Sequence, residues 1–275
     1  MQAINILITL TGLSIMNHLF SIDNIPLYGV FLLSIAYILL AIFAGMRIYA
    51  LGEKTGVDRS KEQTGSVVGA TLALLAFVLA FTFNMAASRY DTKKQLLLSE
   101  INAIDDTYLK SGLLMQPYKD QSRQLLRNYV DLRLEAVEHS EMLNEIIQGS
   151  EEIHKELWSA IDTIQAKQQY TRVVGLYIGS LSNLIQLHYK RVVVVLHTRI
   201  PDTIWLGLYI IAALAMITVG YQFGQARRFP GAVSIVLAMA FSSVLTLIVD
   251  LDRAVGGTIV VDQIPYIQLQ ERLQE

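Results

Sequence analysis

The chain contains no cysteine, which excludes disulfides, thiolate metal centres and a cysteine nucleophile but does not fix which side of a membrane any soluble part occupies. Charge is also scarce, at 17% of 275 residues, against about 25% in an ordinary globular chain. With 53% hydrophobic residues and a mean hydropathy of +0.41, part of the chain must be solvated by lipid. The formal net charge of -2 hides segregation: charged residues crowd into the middle third, while long stretches elsewhere carry none. The lipid bilayer is therefore an expected partner, and nothing points to nucleic acid.

Catalytic patterns are absent as well. The histidines His18, His139, His154, His188 and His197 are too dispersed for the two-on-one-face spacing of a metalloprotease helix, and surface or satisfied polar roles are expected for them. Gly52-Glu-Lys-Thr-Gly lacks the glycine spacing of a phosphate loop, and no strand precedes it. Asp105 and Asp106 are adjacent on a helix, point apart, and read as a solvated face. The sequence accordingly predicts a protein that is not an enzyme, with no cofactor and no metal.

What is present is a set of long apolar stretches. A helix needs about 20 apolar residues to cross about 30 Å of hydrocarbon, and four stretches qualify: 27–51, 65–87, 204–223 and 232–249. The first holds an ionisable side chain only near its end, at Arg47, and the others hold none before their ends. The opening segment, 1–26, is apolar but interrupted by Asn5, Asn17 and His18, and it has neither a basic leader nor a small-residue cleavage site, so no signal peptide is expected. It lies either along the membrane surface as an amphipathic helix or on the bundle as a short extra helix, and the first is favoured.

Between Arg89 and Pro201 the pattern becomes helical and charged, with Leu125, Leu126, Tyr129, Val130 and Leu132 recurring at threes and fours. Pro117 separates a first helix from a second, Gly149-Ser150 reads as a stop and an N-cap before the acidic pair Glu151 and Glu152, and a last helix is expected over 171–198. Pro201 with Asp202 then opens the third span. The predicted fold class is an all-α membrane protein: four transmembrane helices plus an inserted helical soluble bundle, in an oligomer. Its segments are an N-terminal piece (1–26), transmembrane helices 1 and 2 (27–88), a helical soluble module (89–200), transmembrane helices 3 and 4 (201–252) and a C-terminal tail (253–275).

Polar groups at membrane depth are costly and so carry the functional expectation. Asn84 lies inside the second span, and Asp250, Asp252 and Arg253 close the fourth. That cluster reads first as an interfacial charge pair that caps the span, and second as a pore mouth. At 100° per residue, Ser66, Ala70, Ala73, Phe77, Phe81, Asn84 and Ser88 fall within about 40° of one another's stripe centre at Phe77, so small, aromatic and polar residues follow one another along one face. Spacing alone favours helix packing over pore lining there.

The stretch Phe77-Val-Leu-Ala-Phe-Thr-Phe with Ala86-Ala-Ser-Arg-Tyr-Asp, then Glu100-Ile-Asn-Ala-Ile, Tyr129-Val-Asp-Leu-Arg-Leu, Leu157-Trp158, Leu181-Ser-Asn-Leu, His188-Tyr-Lys-Arg, Gly220-Tyr-Gln and Asp250-Leu-Asp-Arg-Ala-Val-Gly resemble the bacterial bestrophin-like membrane proteins. On these motifs the chain is identified as a member of that family, and its second span resembles that of the bestrophin anion channels. The resemblance implies an apolar pore neck at Phe77 and Phe81, with Ala73 where the animal channels have an aliphatic residue, and a ring of five subunits in a bacterial plasma membrane. It implies pore-lining polar positions at Ser66, Asn84 and Ser88 and a basic pore mouth at Arg89, Lys93 and Lys94. Only Asp250 and Asp252 remain of the acidic calcium clasp of the animal proteins, and Ala254 replaces the proline usual after Asp-Leu-Asp-Arg, so calcium gating is not carried over.

The expected function is then an oligomeric ion channel, chloride-permeable, with inorganic anions and further copies of itself as partners. The other reading is a non-conducting sensor or scaffold whose helical module binds a partner. Phenylalanine edges carry partial positive charge that suits a poorly hydrated anion, and basic residues repeated around an axis would concentrate anions. The alternative for Arg89, Lys93 and Lys94 is headgroup anchoring. Sidedness stays open: Lys54, Arg59, Lys61, Arg227 and Arg228 in the short loops would place those loops in the cytoplasm, whereas the resemblance implies the opposite.

Overall fold

The computed structural model describes residues 25–54, 64–138, 142–167, 171–226, 230–253 and 257–274. The segment 1–24, the loop residues Arg59, Lys61, Arg227 and Arg228, and His18, His139 and Ala254 lie outside the described residues. Eight described helices follow in order: α1 (Leu27–Lys54), α2 (Gly65–Ser111), α3 (Tyr118–Glu138), α4 (Leu143–Ala166), α5 (Arg172–His197), α6 (Asp202–Gln225), α7 (Gly231–Asp252) and α8 (Ile264–Gln274). They fall into two compact units, one built from the described parts of 1–88 and 199–259, the other from 89–198 and 260–275.

The first unit holds the apolar helices. α1, α2, α6 and α7 are each long and apolar enough to cross a membrane, so the chain is a multi-pass membrane protein. α1 packs on both α6 and α7. Its crossing with α6 is set by two glycines: a Cβ on Gly45 would run into the Ile217 carbonyl, and one on Gly220 into the Ile42 carbonyl. Lipid tails provide no hydrophobic drive between helices, so such close backbone approach supplies the van der Waals contact. A hydrogen bond from the Tyr37 hydroxyl to the Tyr209 carbonyl (2.7 Å) adds to it, and the Thr71 and Thr218 hydroxyls, 2.9 Å apart, tie α2 to α6.

α2 is 47 residues long, about 70 Å at 1.5 Å per residue, more than twice the hydrocarbon thickness. Its apolar part ends near Ala87, yet neither proline nor glycine interrupts the chain before Gly112, so the helix runs on into charged sequence and enters the second unit. There Leu97, Ile101 and Ile104 of α2 join Leu126, Tyr129 and Val130 of α3 and Leu157 of α4 in one apolar core. Thr171 caps α5 by accepting from the Val174 N–H at 3.3 Å.

Two expectations change here. The break expected at Gly149-Ser150 is not one: α4 passes through both residues. The Ser150 hydroxyl is buried and donates to the Ile146 carbonyl at 2.8 Å, the back-bonding that lets serine sit inside a helix, while a Cβ on Gly149 would lie 3.0 Å from the Leu132 side chain of α3. The glycine therefore serves close packing of α4 on α3, not termination. The C-terminal segment is also more than a tail, because α8 packs on α3 and buries Tyr266, Leu269 and Leu273. Tyr108 and Arg127 both donate to the Leu273 carbonyl, at 3.1 and 2.6 Å.

Candidate pore face and buried charge cluster

The stripe on α2 is exposed along its whole length within the protomer: Ser66, Ala70, Ala73, Phe77, Phe81, Asn84 and Ser88 all lie at the surface, with Phe77 68% and Phe81 57% exposed. The opposite side of the same helix is buried at Val68, Leu75, Leu79, Thr82 and Ala86. The 3.6-residue period separates the two phases: Val68, Leu75, Leu79, Thr82 and Ala86 face the unit's interior, and the stripe is exposed together with Val67, Leu74 and Phe83 beside it. Further along α2, Arg89 and Lys93 are half-buried and Lys94 is exposed.

At the end of α7 the chain turns out of the helix at Arg253 (φ -58°, ψ 140°) and brings Thr258 back over Asp250. The buried Asp250 carboxylate accepts from the Thr258 N–H at 2.8 Å and from the Thr258 hydroxyl. Gly257 fits there because a Cβ would collide with Asp250 Oδ1. Asp252 Oδ1 accepts from the Ile200 N–H at 2.9 Å, and Arg253 donates to the Ile25 carbonyl. Asp250 is thus satisfied by Thr258, which follows its own helix in sequence.

The second unit encloses a cluster to which the sequence expectations assign no role. Glu100 of α2 is fully buried. Its Oε1 accepts from the Tyr129 hydroxyl at 2.5 Å, and its Oε2 accepts from Arg191 Nη1 at 2.5 Å, the Tyr266 hydroxyl at 2.8 Å and Arg133 Nη2 at 3.4 Å. Five helices therefore contribute, counting His188 of α5 and His154 of α4: His188 Nδ1 lies 3.0 Å from the Tyr129 hydroxyl, and the His154 ring stands nearly perpendicular to that of His188 at 4.8 Å. Burial alone would raise the Glu100 carboxyl, but the Arg133 and Arg191 guanidiniums, with the nearby His188 (Nδ1 3.8 Å from Oε1) and the hydrogen bond from Tyr129, hold it well below the usual carboxylate range. Burial, then the Glu100 charge, pushes the Tyr266 hydroxyl up to about 12. Burial, then the neighbouring His188, pulls His154 down to about 3.

The sequence carries a signal for this cluster. Glu100 interrupts the apolar series Leu97, Ile101, Ile104 on one face of α2, and Arg133 and Arg191 follow the buried phases of α3 and α5. What sequence alone does not supply is that all of them meet. Among the described residues no group of three or more histidine, cysteine, aspartate or glutamate side chains could hold a metal ion.

Four apolar spans with a helical module inserted in the sequence between the second and third define a class of membrane protein. The bestrophin-like domain matches residues 35–266, and the chain belongs to the bestrophin-like family. Its fold is similar to that of crystal structures of a bacterial bestrophin homolog from Klebsiella pneumoniae. One, a mutant, has a TM-score of 0.63 at 15% identity, covering 89% of this chain and 96% of that one. Another, phased on zinc, has a TM-score of 0.60 at 17% identity, with 89% and 96% covered. No curated protein matches the sequence.

Proposed function

We propose that this chain is one subunit of a ring-shaped ion channel in a bacterial plasma membrane, anion-permeable, with α2 from each of five subunits lining the pore. The observation that carries the reading is the uncovered stripe on α2. Ala73, Phe77 and Phe81 would form the narrow apolar neck, with Ser66, Asn84 and Ser88 as polar positions along the same wall and Arg89, Lys93 and Lys94 at a basic mouth. Four spans without an internal repeat cannot enclose an axial pore alone, and a closed ring satisfies every interface. Large exposed rings next to an exposed amide fit a pore wall better than a lipid-facing surface, where an amide is costly.

In such a ring the phenylalanines dewet a narrow passage while their positive edges face a passing anion. Ala73, being small, leaves the passage wider at its level than an aliphatic side chain would. Chloride flux from liposomes tests this. Phe77→Ala combined with Phe81→Ala widens and wets the neck, so flux should rise and preference for chloride over sodium should fall. Leu214→Ala, exposed on α6, is the control and should behave as wild type. Equal flux in all three would favour the scaffold reading.

A further inference from the structure

The histidine pair next to the Glu100 cluster does not take part in the pore reading. His154 is 4% exposed and His188 0%, and neither ring nitrogen of His154, nor Nε2 of His188, nor Nε of Arg133, has a hydrogen-bond partner among the described residues. The tautomer of His188 follows from its neighbours. Tyr129 donates its proton to Glu100, so its oxygen is left to accept from His188 Nδ1–H, and a neutral His188 then presents a lone pair at Nε2.

The groups that act on His154 are Tyr129 and Arg133 on α3, His188 on α5 and Glu100 on α2, while Arg191 on α5 and Tyr266 on α8 bind that same carboxylate. The carboxylate is the one anion among them, and both its oxygens are already occupied by Tyr129, Tyr266 and the two arginines. A second proton on His154 would therefore be a buried cation facing guanidinium charge, with no open carboxylate oxygen to pair with it among the described residues and only the neutral His188 ring beside it. Such a proton is compatible with the ring only once it reaches water, and the ring reaches water only if α4 moves off α3 and α5.

We propose that the helical module is an acid-sensing unit in which proton uptake by His154 releases α4 from α3 and α5. The inference goes beyond the channel reading and does not depend on conduction. The sign follows from linkage: the folded module holds His154 neutral, its imidazole depressed by burial and by His188, so the opened state binds the additional proton. Stability of the α4 docking is complete above the unfolded histidine value, about 6.5, and declines as pH falls below it. Between pH 7 and pH 5 one such histidine raises the opening equilibrium about 25-fold. Glu100 acts in a lower window, because an unfolded glutamate titrates near 4.3.

Hydrogen–deuterium exchange of the full chain in detergent, read by mass spectrometry over peptides of α4 and corrected for the intrinsic pH dependence of exchange, tests the proposal. The expected result is a rise of about 25-fold in α4 opening from pH 7 to pH 5 in the wild type, and less than about threefold in His154→Gln, where no imidazole remains to titrate. Should His154→Gln fail to fold, His154→Phe, which keeps the ring volume, replaces it. A flat wild-type profile overturns the proposal without any variant. An equal rise in wild type and variant overturns it too.

Discussion

Replacing Glu100 with glutamine keeps the shape of the side chain and removes the one carboxylate that Arg133 and Arg191 share inside the module. Two guanidiniums are then left buried or nearly so, at 6% and 15% side-chain exposure, without the anion that offsets their desolvation. Breaking a buried ion pair by removing one partner costs about 3–5 kcal/mol. For a domain of this size 1 kcal/mol moves the midpoint by about 3–4 °C, so Glu100→Gln should lower the melting temperature by roughly 10–20 °C.

The pH dependence gives a second check. The Glu100 carboxyl sits well below its ordinary value in the folded protein, so its contribution is present above the unfolded value of about 4.3 and is lost as pH falls below it toward the folded one. The gap between wild type and Glu100→Gln should be full at pH 7 and should narrow from about pH 4.5 downward. Thermal unfolding in detergent, followed by circular dichroism at 222 nm or by tryptophan emission from Trp158 of the module, measures both. A variant melting within about 2 °C of wild type at pH 7 would refute the assignment, since a pair worth that little is at the level of a solvated surface bridge.

Three further outcomes follow. Gly45→Ala and Gly220→Ala each drive a methyl into backbone that cannot move aside and should each cost about 1–3 kcal/mol or more, seen as a lower midpoint and less folded protein by size exclusion, whereas Gly207→Ala, with open space at its Cβ, should be neutral or slightly stabilising. Asp250→Ala leaves the Thr258 N–H without its acceptor and should cost about 1–3 kcal/mol in thermal stability, while Asp250→Asn, which keeps an acceptor oxygen, should lose less. Tyr266→Phe removes the hydroxyl shared by Glu100 and Arg191 and should raise amide exchange in α8 before it affects any other helix of the module.

The membrane helices are legible because their signal is local: a run free of ionisable side chains is recognisable without knowing what it packs against. The stripe on α2 is legible for the same reason, since phase along a helix is fixed by the period alone. The Glu100 cluster is not, because Glu100, Tyr129, His154, His188, Arg191 and Tyr266 come from five helices, up to 166 positions apart. The helical signal of α8 is weak in isolation, with Tyr266, Leu269 and Leu273 as its apolar positions among Gln, Glu and Arg, and its stability comes from the surface it covers. Gly149-Ser150 misleads because both residues are also used inside helices, the first for close approach and the second through its back-bond to Ile146.

The claim that the α2 stripe faces an aqueous pore has one direct test, which the absence of cysteine from the chain makes clean. Single cysteines at Ala73, Phe81 and Asn84, with Leu214→Cys on α6 as the reference, are reconstituted in liposomes and exposed to a charged, water-soluble thiol reagent while chloride flux is recorded. A pore wall predicts rapid modification at the three α2 positions together with a change in flux, and no modification at Leu214→Cys. Unmodified α2 cysteines, or modification that leaves flux unchanged, would contradict the account.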